Sequence, residues 1–208
     1  MIEKICNKLT LKIRKKMPEV NEERAEVINY GLQLIIGEIP KTFVLLIVAY
    51  LCGVLKLSII ALLAIMPYRA TSGGVHLKTH IGCIIGTSLF YVGSSLLSKY
   101  IVLEPLYIKY ILIAITWIFS MVMIRLYAPA DTENVPILRK KERTLKKNFS
   151  YITMSLTLIA SMLIKDAVIS NLLIFLTIFQ TIWISKFIYR LTNNKYGYEE
   201  YIKLKDAT

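Results

Sequence analysis

Residues 108–126 read IKYILIAITWIFSMVMIRL, an unbroken apolar run whose charges, Lys109 and Arg125, stand near its two ends. An upright helix needs ~20 such residues to cross a bilayer, and charge is tolerated at its ends far better than at its centre. The run therefore predicts a transmembrane helix. Further apolar stretches lie at 28–52, 55–67, 81–98, 149–164 and 167–188. Together they predict an all-α, polytopic transmembrane helix bundle of about six spans, organised as a single membrane-embedded domain over residues 1–208. Several stretches are shorter than a full crossing, so Leu57 to Met66 is expected as a half-span or re-entrant piece.

Composition points the same way. The 208 residues are 55% hydrophobic with a mean hydropathy of +0.54, yet carry 26 basic against 14 acidic side chains, a net charge of +12. A bundle of apolar helices with its charge confined to loops and ends reconciles these values. The basic residues flank apolar segments instead of forming a stripe interleaved with aromatics, which argues against nucleic acid and for membrane lipid or an acidic peptide as partner. With both termini cytoplasmic, six spans put segments 1–26, 69–78, 125–147 and 186–205 inside, with 21 of the 26 basic residues. The outer turns keep Lys56, Lys99, Lys109 and Lys165. An odd number of spans would scatter the basic clusters over both faces, so a multi-pass protein with both ends inside is expected.

Within residues 1–26, Lys4, Lys8, Lys12, Arg14, Lys15 and Lys16 interrupt any cleavable signal sequence. Ile5, Leu9, Ile13 and Met17 recur at four-residue spacing beside Lys4, Lys8, Lys12 and Lys16. That pattern predicts an amphipathic basic helix lying at the interface, with a solvated charged helix as the alternative. Cys6, Cys52 and Cys83 are odd in number and lack a CxxC pair, so no disulfide framework is readable. Cys6 and Cys52 read as small packing residues.

Two places break the apolar pattern. Glu38, Pro40 and Lys41 fall inside the first span, where Pro40 should kink a helix and Glu38 can pair with Lys41 at i,i+3. Ionisable residues inside a membrane are functional hypotheses, here weighed against a structural ion pair. The second break is Pro67 to Gly74, whose adjacent Gly73 and Gly74 permit backbone angles barred to other residues.

Directly after the glycines come both histidines of the chain, His76 and His80, within reach of Cys83 in sequence. A cysteine nucleophile needs a base to form thiolate, and imidazole can take that proton and return it to a leaving amine. On one straight helix His76 and Cys83 would share a face but lie ~10.5 Å apart along the axis, too far for contact. A dyad of these two requires His76 on an unwound turn folded back over the helix start, or a Cys83 from a second subunit. His80, at i,i+3 to Cys83, is slightly preferred on spacing alone. The same trio at i, i+4 and i+7 could ligate a metal, but it lacks the general base of HExxH sites and any further histidine, so no metal or other cofactor is expected. A transporter or channel for a small solute or peptide is the rival function. Glu38, Lys41 and Pro40 support it, but it leaves the Gly-Gly-His to Cys cluster idle.

Arg69, Gly73-Gly74-Val75-His76, the six-residue interval to Cys83 and the later Tyr127-Ala128-Pro129-Ala130-Asp131-Thr132-Glu133-Asn134-Val135-Pro136-Ile137 segment resemble the accessory gene regulator B (AgrB) family. The resemblance spans nearly the whole chain. It implies a bacterial cell-membrane cysteine endopeptidase that cleaves the C-terminal part of an AgrD-like quorum-sensing pheromone precursor through an acyl-enzyme thioester. It further implies that the enzyme promotes cyclisation to a thiolactone or lactone. By the same resemblance His76 is the base and Cys83 the nucleophile, Arg69, Gly73, Gly74 and Glu38 support the site or the substrate, and the enzyme is a homodimer. Backbone N–H groups around Gly73 and Gly74, or at the helix start, are candidates for stabilising the oxyanion. Arg125 to Lys147, within a loop drawn at 125–148, holds seven basic and three acidic residues, suited to an acidic precursor tail. Asp131, Glu133 and Asn134 read as a turn and helix cap, and Tyr127 and Trp183 as interfacial belt residues.

Overall fold

The computed structural model describes residues 2–17, 19–77, 79–101, 103–133 and 136–206. The side chains of residues 2, 3, 4, 23, 27, 30, 33, 34, 35 and 80 also lie outside the description, as do Lys78 and Asn134. Among the described residues the chain folds into helices α1 (Ile2–Lys16), α2 (Glu22–Leu51), α3 (Leu55–Ser72), α4 (His80–Tyr100), α5 (Leu106–Tyr127), α6 (Lys140–Leu163), α7 (Ala167–Trp183), α8 (Lys186–Leu191) and α9 (Gly197–Asp206). There is no strand among them, only one isolated bridge.

Every apolar stretch of the sequence lies largely within a helix. Leu55–Ser72, Ile81–Tyr100 and Leu106–Tyr127 are long and apolar enough to cross a membrane, and Ala167–Trp183 is a shorter apolar helix. The 55–67 stretch runs on through Pro67 as one helix to Ser72, with no re-entrant break. Pro40 likewise lies inside α2. The 125–148 segment is irregular only between α5 and α6, so Arg143, Lys146 and Lys147 stand on the first turns of α6. Asn21 caps α2 by accepting from the Arg24 N–H at 2.9 Å, so the expected 1–26 segment is divided: α1 ends at Lys16 and residues 22–26 belong to α2.

The interior shows why these helices belong in lipid. The inward face of α3 is Ser58, Ala61, Ile65, Tyr68 and Ser72; that of α6 is Ser150, Met154, Leu158 and Ser161. Outward stand large apolar groups such as Leu63, Ile85, Leu89, Ile115 and Ile118. Small and polar inside with apolar outside inverts the soluble pattern and suits helices that associate by close approach and interhelical hydrogen bonds.

Helix α7 is the centre, packed against α3, α4, α5 and α6. Its buried polar groups tie those neighbours together. Thr181 Oγ1 lies 3.0 Å from Tyr68 Oη and 2.8 Å from Ser120 Oγ, and Ser170 Oγ donates to the Ser161 carbonyl at 2.6 Å. Asn171 donates to the Ile101 carbonyl at 3.0 Å. The C-terminal ends of α3, α5 and α7 thus gather at one end of the bundle, and those of α4 and α6 at the other.

Three residues differ from or add to expectation. Cys6 is buried as foreseen, but Cys52 is exposed. Tyr127 stacks on Tyr196, with ring centroids 6.2 Å apart, and Trp183 packs on the core, so both are also packing residues.

Candidate functional site

Helix α3 ends because Gly73 adopts φ 74°, ψ −149°, a conformation essentially reserved for glycine. Its N–H still donates to the Arg69 carbonyl at 3.0 Å. Residues 74–77 are irregular, and α4 begins at the Thr79 cap, whose Oγ1 accepts from the Gly82 N–H at 3.0 Å. This gives the unwound turn that a His76 and Cys83 dyad requires.

The turn is held from two sides. The Ala130 N–H donates to the Ser72 carbonyl at 2.8 Å and the Gly74 N–H to the Ala130 carbonyl at 2.9 Å, a parallel bridge between the glycines and the α5–α6 connection. From α7, Gln180 Nε2 donates to Ser72 Oγ at 3.0 Å and to the Gly73 carbonyl at 2.8 Å, while Trp183 Nε1 donates to the Val75 carbonyl at 3.0 Å. A Cβ on Gly73 would lie 2.2 Å from Ala130 O, and one on Gly74 3.0 Å from Trp183 Cδ1. Both glycine N–H groups are therefore spent within the fold. They are not oxyanion donors, contrary to the sequence-based expectation.

Arg69 is similarly engaged. Its Nη1 donates to Gln180 Oε1 at 3.2 Å, and its guanidinium lies 5.7 Å from the Phe90 ring centroid. Gln180 thereby joins Arg69 to the Gly73 turn.

On this irregular segment, His76 is solvent-accessible but set among protein atoms at a recess. That crowding pushes its pKa below the ordinary imidazole value; the Arg69 cation lowers it further, Glu38 opposes, and Lys41 again lowers it. The Glu38 and Lys41 pair forms as the spacing predicts, Nζ to Oε1 at 2.7 Å, with the Lys41 side chain 13% exposed and that of Glu38 54%. Lys41 also interacts electrostatically with half-buried Cys83. Hence Glu38, Lys41, Arg69, His76 and Cys83 form one electrostatic cluster, although no hydrogen bond joins His76 directly to Cys83 among the described residues. Lys41 was read from sequence only as the partner of Glu38; its inward placement against α4 is the new fact. Of the charges that favoured transport, Lys41 thus faces the thiol, with Glu38 as its ion-pair partner. His80, the alternative base and the middle member of the possible metal trio, opens α4, and its side chain lies outside the described residues.

The recess beside His76 encloses about 520 Å³ and is lined also by Arg69, Gly73, Gly74, Asp131 and Lys146. Asp131 has a side chain only 1% exposed; its Oδ2 accepts from Arg143 Nη1 at 2.9 Å and from the Ile137 N–H at 2.9 Å. Its backbone carbonyl accepts from Tyr189 Oη at 3.0 Å, and Oδ1 has no partner among the described residues. Asp131 is thus the turn-former expected, but Arg139 precedes α6 without a side-chain cap. Glu133 lies 3.8 Å from Lys195.

A family model described as accessory gene regulator B matches residues 4–184. An AgrB-like protein of Clostridium acetobutylicum is 28% identical over 196 residues, covering 94% of this chain and 91% of its own length. A similarly named protein of Listeria monocytogenes is 28% identical, with 87% of each chain covered. Accessory gene regulator protein B of Staphylococcus aureus is 27% identical over 141 residues, 67% of this chain and 70% of that protein. No solved structure matches.

Proposed function

Since the chain belongs to the accessory gene regulator B family, we propose that it serves quorum sensing as a membrane cysteine endopeptidase, cutting an AgrD-like pheromone precursor and promoting its cyclisation. The observation that carries this reading is the convergence of His76 and Cys83 on the same Glu38 and Lys41 pair. The end of the bundle bearing this cluster holds most of the basic residues and is therefore assigned to the cytoplasm.

In the proposed reaction, neutral His76 takes the proton from Cys83 Sγ, and the Lys41 ammonium stabilises the thiolate. The thiolate attacks the scissile carbonyl carbon; the C–N bond breaks, and His76 returns the proton to the departing amine. An acyl-enzyme thioester remains. A thiol or hydroxyl of the bound peptide attacks it, giving the thiolactone or lactone and restoring Cys83. Ring closure beats hydrolysis only where water is scarce, and a site at the membrane surface with the peptide seated in the Asp131 recess provides that condition. With the Gly73 and Gly74 N–H groups engaged, the first turn of α4 is the remaining expected source of oxyanion stabilisation. Arg69 acts as a positioning residue through Gln180.

Co-expression with a precursor tests the reading through release of its C-terminal fragment. Cys83→Ala and His76→Ala should abolish release; a wild-type rate in Cys83→Ala rejects the peptidase assignment. Loss of cleavage in His80→Ala, with His76→Ala active, would transfer the base role to His80.

A further inference from the structure

The end of the bundle remote from His76 carries a second polar cavity. It encloses about 640 Å³ between the C-terminus of α4, the N-terminus of α5 and the turn from α6 to α7, and Lys99, Lys109 and Lys165 all line it. These are three of the four lysines that charge bias leaves on the outer turns; Lys56 is not among its lining residues.

Lys109 distinguishes this cavity from an ordinary charged rim. A lysine near the end of a span usually snorkels, keeping its ammonium in water or among headgroups. Here the helical register turns Lys109 inward, to the wall of the cavity. Lys109 heads the inward stripe of α5, followed by Ile113, Thr116, Ser120 and Ile124, and is only 8% exposed. It makes no hydrogen bond or ion pair with any described residue, whereas lysines so deeply buried are normally paired. Glu104 lines the same cavity but forms no ion pair with the lysines, so three cations face one carboxylate. The α5 N-terminus, which has no side-chain cap, opens here at Leu106 and adds partial positive charge.

We propose that this cavity binds a phosphate-bearing anion, with Lys109 as its buried anchor and Lys99 and Lys165 at its mouth. The shared ligand chemistry is a net-negative phosphate, either the headgroup of an anionic phospholipid or free phosphate. The surroundings favour the headgroup: Tyr100, Leu106 and Tyr107 are strongly exposed beside the cavity and offer apolar surface to acyl chains. The inference is independent of the peptidase reading, because its test requires no cleavage.

The test uses the full chain in nanodiscs of phosphatidylcholine alone, of phosphatidylcholine with phosphatidylglycerol, and of phosphatidylcholine with added inorganic phosphate. Thermal unfolding and native mass spectrometry read binding. Phosphatidylglycerol should raise the Tm and remain bound. Lys109→Met, and separately Lys99→Gln with Lys165→Gln, should weaken it about fivefold per lysine removed. Lys56→Gln should leave it unchanged. A shift from inorganic phosphate alone, with the same lysine dependence, keeps the anion site and assigns it to free phosphate. No shift with either ligand, or an equal loss in Lys56→Gln, overturns the proposal. If Lys109→Met does not fold, the Lys99 and Lys165 variant decides.

Discussion

Trp183 holds the residue next to His76: its indole N–H donates to the Val75 carbonyl at 3.0 Å while its ring edge touches Gly74. The proposed base is therefore aimed from α7. Trp183→Phe keeps an aromatic ring and deletes the donor. Cleavage should fall by up to roughly tenfold, the rate equivalent of one ordinary hydrogen bond, with little change in Tm. A larger loss of Tm than of activity would make the contact structural.

Gly73 should tolerate substitution least. Gly73→Ala forces a side chain into a glycine-only conformation and places Cβ 2.2 Å from Ala130 O, so a loss of at least ~1–3 kcal/mol of stability is expected together with loss of cleavage. Gly74, at φ 143°, is strained by a side chain too, but its Cβ would meet a side chain at 3.0 Å instead of backbone at 2.2 Å, so Gly74→Ala should be the milder of the two. Thermal unfolding of both variants orders them.

Because crowding and neighbouring cations lower the His76 pKa, the imidazole is neutral at pH 7 and becomes protonated only below its ordinary range. Raising the pH through that lowered value creates the base, so the acidic limb of kcat/KM should lie below about 6.5. Glu38 acts in the opposite sense, favouring the proton. Glu38→Gln should therefore move the limb to still lower pH, and movement to higher pH contradicts the arrangement described.

Lys41→Met removes the cation beside Cys83. Alkylation of Cys83 by iodoacetamide at pH 7 should slow by about fivefold, the scale of a partly screened charge contact, while Lys41→Arg retains most of the rate. Mass spectrometry separates Cys83 from Cys6 and from exposed Cys52.

Asp131→Ala leaves Arg143 and the Ile137 N–H without their shared acceptor. The aspartate side chain is nearly inaccessible whereas that of Arg143 is 22% exposed, so the full cost of a broken buried pair does not apply; a loss of ~2 kcal/mol is expected. Arg143→Ala should cost a similar amount, and the double variant less than the sum.

The sequence made some of this legible for simple reasons. Long apolar runs have few alternatives to helix in a membrane, so their positions follow from hydropathy, and the Glu38 and Lys41 contact follows from helical spacing. The requirement that His76 sit on an unwound turn came from the length of a straight helix. What stayed hidden were contacts between segments remote in sequence. Gln180 and Trp183 belong to a helix that reads as one more predominantly apolar span, and only packing reveals that both reach the Gly73 to Val75 backbone. Lys41 could be paired with Glu38 by spacing, but not with Cys83. The burial of Lys109 was likewise hidden, because charge bias assigns a lysine to one side of the membrane without saying which way it points.

The clamp that α7 places on the glycine turn has a consequence for synthesis. Helices α3 and α4, which carry His76 and Cys83, leave the ribosome well before Gln180 and Trp183 do. Until α7 inserts among α3, α4, α5 and α6, the turn lacks the donors from that side. The Cys83 thiol therefore enters the bilayer before the turn that carries His76 is fully held, and any activity of the proposed dyad waits for the insertion of α7.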